Sequence, residues 1–206
     1  MTPDPAEHAW WLASRSAGIV ALLCITVSVG VGLAMAGRLS PRTGRALLDV
    51  HQWTALVGLV AIAVHGITLL GDKWLDPGVL GILIPFRMEH EPLYTGLGIL
   101  GGYLAAALGL SFYARRRIGT KRWRSLHKAT ILVYVLSVIH TLGAGSDAGT
   151  PWLRAQLALT GAPILFLFVM RVLPATKVSA GGSAARPGSA PSPAPRSARS
   201  QPSRSA

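Results

Sequence analysis

At 206 residues, half of them hydrophobic and only 14% charged, the chain is too apolar for an ordinary soluble domain and reads as an integral membrane protein. The net charge of +12 invites a nucleic-acid reading. The basic run Arg115–Arg124 brings only Trp123 as a stacking aromatic, however, and the charges are placed as membrane topology places them.

In chain order, residues 1–13 read as a short exterior segment in which His8 lies beside Glu7 and is solvated. Five apolar stretches follow, each near the length of about 20 residues that a spanning helix needs: Ser16–Ala36, Leu47–Leu70, Leu93–Tyr113, Ser125–Leu142 and Trp152–Leu173. The first is preceded by Asp4 and Glu7 rather than a basic cluster, so it reads as a span and not as a cleavable signal. It also holds the lone cysteine, Cys24, which excludes an internal disulfide and disfavours a thiolate metal site. The link after the first span carries Arg38, Arg42 and Arg45, and the link after the third carries Arg115, Arg116, Arg117, Lys121, Arg122 and Arg124, both without an acid. In the link after the second span, Asp72, Asp76, Glu89 and Glu91 outnumber Lys73 and Arg87, and the short Gly143–Pro151 link has no Lys or Arg. The positive-inside rule then puts the N-terminus outside, the Arg-rich links inside and the C-terminus inside, with Trp10, Trp11, Trp74 and Trp152 near the outer interface.

Two further segments have a compositional reading. The run Gly78–Phe86 is apolar but too short to span, and is expected to be an interfacial or re-entrant piece covering the outer of the sites described below. His90, between Glu89 and Glu91, reads as solvated. From Pro174 to Ala206 the chain is mostly Ser, Pro, Ala, Gly and Arg with no acid, a composition that cannot bury a core and is expected to be disordered. Its cations Lys177, Arg186, Arg196, Arg199 and Arg204 suit either anionic lipid at the inner leaflet or plain solvent.

The chemistry lies in four intramembrane histidines. His51 and His65 enclose thirteen residues on the second span, and His127 and His140 enclose twelve on the fourth. Ionisable side chains at membrane depth are costly and mark function by default. Neutral imidazole is a common ligand of haem iron, and four suffice for two haems. The second and fourth spans run in the same direction, so His51 shares a depth with His127 and His65 with His140. The intervals correspond to roughly 21 and 19.5 Å of helix rise, within a hydrocarbon core of roughly 30 Å. Around the helix, His51 and His65 fall roughly 40° apart, on one face, but His127 and His140 come out roughly 140° apart. The second pair therefore requires a kink, a bulge or a tangential approach.

These paired spacings, His51-x13-His65 and His127-x12-His140 on two parallel helices, resemble the ferric reductase-like transmembrane domain. That superfamily includes ferric reductases, NADPH oxidases and the haem-containing membrane subunit of bacterial periplasmic methionine sulfoxide reductase systems. The resemblance covers about residues 10–173, and the haem-binding domain is drawn at 14–173. It implies an all-α bundle with two b-type haems stacked across the membrane, the inner one on His51 and His127 and the outer one on His65 and His140. Larger relatives have six helices and a following flavin and nicotinamide domain. Here five spans are visible, as though the first were missing, and nothing resembling the soluble domain follows. Gly96, Gly98 and Gly101 match G-x-G-x-x-G inside the third span, away from the strand-to-helix context that dinucleotide binding needs. Gly98 and Gly102 instead suit close helix packing.

Haem propionates call for cations. Arg15 is the candidate at the outer end, and Arg124 and Lys128 flank His127 at the inner end; all three also read as snorkelling side chains. Asp49 is placed to orient His51 or simply to end its helix. The resulting expectation is a multi-pass membrane cytochrome taking electrons from a separate flavoprotein, a flavin or a quinol and passing them to ferric iron or an exterior redox protein. With no evident site for hydride transfer, an electron-transfer subunit and a reductase share this signature. Three alternatives stay open: a transporter or metal-binding permease using the histidine pairs, a single-haem subunit of a periplasmic reductase system, and a non-catalytic membrane anchor.

Overall fold

The computed structural model describes residues 5–36 and 44–173. These form seven helices and no strand: α1 (Pro5–Ala36), α2 (Arg45–Leu69), α3 (Gly78–Leu83), α4 (Pro92–Ile118), α5 (Thr120–His127), α6 (Thr130–Ala144) and α7 (Pro151–Val172). Helices α1, α2, α4 and α7, and α5 with α6 taken together, are each long and apolar enough to cross a membrane. The protein is thus a multi-pass membrane protein of five candidate spans, with α3 as an additional short turn. The Arg38 and Arg42 link and the tail after Leu173 lie outside the described residues.

The bundle turns a wide apolar surface outward. Trp53, Leu110 and Leu159 are 66%, 60% and 77% exposed, as befits helices whose backbone bonds are satisfied internally and whose side chains meet lipid. The buried centre is small. Val29 of α1, Tyr134 of α6 and Ile164 of α7 pack together, flanked by Ile25, Leu33, Ile131 and Val138. Helix α1 lies antiparallel along α2 and also touches α6 and α7, while α4 lies antiparallel along α6. Helices α2 and α6 run parallel.

Glycines set the helix spacing. A Cβ on Gly58 of α2 would stand 3.2 Å from the Cys24 Cβ of α1, and one on Gly102 of α4 would stand 3.4 Å from Ile62. Such small residues let helices approach where lipid gives no hydrophobic drive for association. Gly58→Val is expected to cost about 1–3 kcal/mol by overpacking, seen as a lower unfolding midpoint in detergent; an unchanged midpoint would show that α1 and α2 separate without penalty.

Helices α4 and α7 start with Pro92 and Pro151, where the missing N–H costs nothing. Gly119, at φ +89°, turns the chain from α4 into α5 within one residue, a conformation open to glycine. The fourth span then breaks at Lys128–Ala129. Around the break the amides of Lys128, Ala129, Ile131 and Leu132 bond three residues back, at 3.3, 2.9, 3.4 and 2.9 Å. This tighter winding turns the chain by roughly 120° per residue in place of roughly 100°. It acts in the direction needed to bring His127 and His140 onto one face.

Candidate functional site

The rings of His51 and His127 face each other with centroids 5.9 Å apart and planes at 87°. His65 and His140 face each other at 6.2 Å and 70°. The first pair joins α2 to the last residue of α5 and the second joins α2 to α6, one near each end of the bundle. Two imidazoles bound to one metal from opposite sides, with metal–nitrogen bonds of roughly 2 Å plus the ring radii, stand roughly 6 Å apart. Both pairs fit that arrangement. Among the described residues no group of three or more His, Cys, Asp or Glu could hold a bare metal ion. The donor set therefore suits a metal whose other ligands come from a cofactor.

Hydrogen bonds decide which ring nitrogen is free. The Nδ1 of His51 lies 2.8 Å from the Ser28 carbonyl, that of His65 2.8 Å from the Ser14 carbonyl, and that of His140 2.9 Å from the Tyr94 carbonyl. A carbonyl only accepts, so in each neutral ring Nδ1 carries the proton and Nε2 keeps its lone pair for a metal. His127 is held differently. Its ring stacks on Trp123 at 5.0 Å and 26°, and its buried Nδ1 has no hydrogen-bond partner among the described residues. Trp123 is in turn fixed by donating Nε1–H to Ser111 at 3.1 Å.

Space beside the rings is provided by glycine. Gly18, Gly32 and Gly98 stand opposite His65, His51 and His140, and an added Cβ would lie 3.2, 3.3 and 2.5 Å from the nearest ring atom. Gly98 of the G-x-G-x-x-G match thus serves packing against a histidine, while Gly96 accommodates Phe86 and Gly101 faces Leu136 at 3.3 Å. Sequence reasoning did not single out Ser14, Ser28, Gly18 or Gly32. A signal was present: Ser-x3-Gly occurs at Ser14 and Ser28, fourteen residues apart, the same interval as His51 to His65.

Around His65 and His140 the protein forms a half-open cavity of about 440 Å³. Trp11, Arg15, Trp74, Met88, His90 and Asp147 contribute to its wall. The link between α2 and α4 therefore borders this pair with Trp74, Leu75, Met88, His90 and Glu91, whereas the run Gly78–Phe86, expected to cover it, contributes nothing to the wall. Three non-glycine residues of that link, Asp76, Phe86 and Glu91, have positive φ, so its path is held against local preference. His90 is exposed but not free of contacts, its ring meeting Trp74 at 6.0 Å.

Arg15 reaches this cavity already paired. It donates from Nε and one terminal nitrogen to both carboxylate oxygens of Asp147, each at 2.6 Å, and lies over Trp11. A bidentate pair of this kind is strong and directional. Arg124 and Lys128 line a separate surface hollow with Thr120, Lys121 and Ser125, which His127 does not enter. Asp49 is exposed; the group that meets the His51 ring is Ser28, from the neighbouring helix.

Fold and site together define a multi-helix membrane protein with two facing imidazole pairs on parallel helices. The sequence matches the family described as ferric reductase-like transmembrane component over residues 17–138, and the chain belongs to that family. The matched span contains His51, His65 and His127 and ends two residues before His140. Among curated relatives, the chain is similar to the protein-methionine-sulfoxide reductase haem-binding subunit MsrQ of Azospira oryzae, 34% identical over 119 residues, covering 57% of this chain and 47% of that protein. It is also similar to MsrQ of Bordetella pertussis, 27% identical over 143 residues, covering 68% and 63%. The match thus spans less than two thirds of the length of either relative. No solved structure matches.

Proposed function

We infer that the protein is a membrane b-type cytochrome that carries electrons across the bilayer through two haems, each held between two histidines. The observation that carries this reading is the pair of ring separations, 5.9 and 6.2 Å, each suited to an iron bound on both faces. His51 and His127 would hold one haem and His65 and His140 the other. The haem iron supplies one-electron exchange. The chain supplies the imidazoles, a cleft at the His65 end lined by apolar and polar side chains, and a cation or cations toward each end. Arg15 serves the His65 end once its carboxylate partner is shared, and Arg124 and Lys128 serve the His127 end. Residues 14–173 form the haem domain, and 174–206 form a basic cytoplasmic tail.

The charge distribution orients the His65/His140 pair toward the exterior. Electrons then enter at the Arg-rich face from a flavoprotein, a flavin or a quinol, and leave for ferric iron or an exterior redox protein. The relatives' name, haem-binding subunit of a methionine sulfoxide reductase, supports a partner of the second kind. The test is electron transfer in proteoliposomes with reduced flavin mononucleotide outside and ferricyanide trapped inside. Haem-loaded protein should reduce the trapped ferricyanide, and replacement of His65 by alanine should abolish the reaction. Haem-loaded protein that leaves ferricyanide oxidised would overturn a transmembrane path.

A further inference from the structure

The α1–α2 pair contains the same polar unit twice. At one end, Ser14 Oγ lies 2.9 Å from His65 Nδ1 and donates to the His65 carbonyl at 3.1 Å, while Nδ1–H meets the Ser14 carbonyl at 2.8 Å. At the other, Ser28 Oγ lies 3.1 Å from His51 Nδ1 and donates to the His51 carbonyl at 3.3 Å, while Nδ1–H meets the Ser28 carbonyl at 2.8 Å. Four residues after each serine comes the glycine that faces the same ring, Gly18 or Gly32. Three residues after each histidine comes a threonine, Thr54 or Thr68, whose hydroxyl approaches the same histidine carbonyl at 3.3 or 3.2 Å. Fourteen residues are close to four helical turns. Antiparallel docking therefore superimposes the two serine–glycine units of α1 on the two histidine–threonine units of α2.

We propose that Ser14 and Ser28 are positioning residues, each clamping the α2 histidine of one haem so that its azimuth and its protonated Nδ1 are set before the haem binds. The inference rests on the haem reading above. With Nδ1–H already committed to a carbonyl, the serine hydroxyl accepts a second share of that proton and gives its own to the histidine backbone, closing a loop around the ring. Both serines are buried, 2% and 7% exposed, so no bulk water replaces the hydroxyl. A hydrogen bond at Nδ1–H makes the coordinating Nε2 a stronger donor and favours the oxidised iron. Among the described residues the facing ligands have no such device: His140, on α6, relies on a backbone carbonyl alone, and His127, at the end of α5, on the Trp123 face.

The test is potentiometric titration of the purified haem-loaded protein, with low-spin electron paramagnetic resonance of each haem, in Ser14→Ala, Ser28→Ala and the matching threonine variants. Each alanine variant should raise the midpoint potential and shift the signal of one haem only, Ser14→Ala acting on the His65/His140 haem and Ser28→Ala on the other. Threonine, which keeps the hydroxyl, should restore both properties. Selective loss of one haem with threonine rescue would carry the same meaning. Wild-type spectra with two haems and alanine variants that leave both haems unchanged, or disturb both equally, would overturn the clamp while leaving the cytochrome intact. A wild-type chain that binds no haem would overturn the cytochrome itself.

Discussion

Replacement of His140 by alanine is expected to lower the haem content from about two per chain to about one, because a haem iron held from both faces loses one axial ligand outright. The remaining haem, between His51 and His127, should keep its low-spin spectrum. His65→Ala should give the same result, and His51→Ala or His127→Ala the mirror image. The reason is geometric: the members of each pair lie about 6 Å apart, whereas the pairs stand roughly 20 Å apart along the helices. Haem quantitation on each purified variant reads this directly. A His140 variant with full haem content would break the assignment of two haems to four histidines.

An effect of nearly the same size is expected at a residue that touches no iron. A Cβ at Gly98 would lie 2.5 Å from Nδ1, 2.7 Å from Cγ and 2.8 Å from Cε1 of His140, so Gly98→Ala must rotate that ring or push α4 from α6. Either motion breaks the bond from Nδ1–H to the Tyr94 carbonyl, which fixes the tautomer. Loss of the hydrogen bond that orients a metal-bound imidazole costs about 10–100-fold in affinity for the metal, and overpacking costs about 1–3 kcal/mol of stability. The haem between His65 and His140 should be depleted while its counterpart stays. Gly149, with nothing within 4 Å of an added Cβ, provides the control, and Gly149→Ala should keep both haems. Equal haem content in the two variants would show that Gly98 is not the spacer beside His140.

The five spans were legible because an apolar run of spanning length leaves no other solution for the backbone in lipid. The parallel direction of α2 and α6 followed from counting crossings, and with it the facing of His51 with His127 and of His65 with His140. The 140° discrepancy between His127 and His140 came from assuming an ideal helix. The local three-residue winding at Lys128–Ala129 is a departure that no hydrophobic pattern announces. Asp49 illustrates another limit. Proximity in sequence suggested a carboxylate partner for His51, but the ring turns toward α1, and only the packing of two helices could bring Ser28 to it. Arg15 was legible as a cation at the His65 end, yet its partner Asp147 is remote in sequence. The serine–glycine repeat of α1 was visible as an interval of fourteen residues. It gains meaning only once α1 is laid antiparallel on α2, so that the interval matches that of the histidines.

The most direct test of the central claim is the haem-to-protein ratio of the purified wild-type chain, measured with its oxidised and dithionite-reduced spectra. About two low-spin, six-coordinate b-type haems per chain is the expected result. One haem per chain would contradict the two-pair assignment, and a colourless protein that takes up no haem on reconstitution would contradict the cytochrome reading altogether.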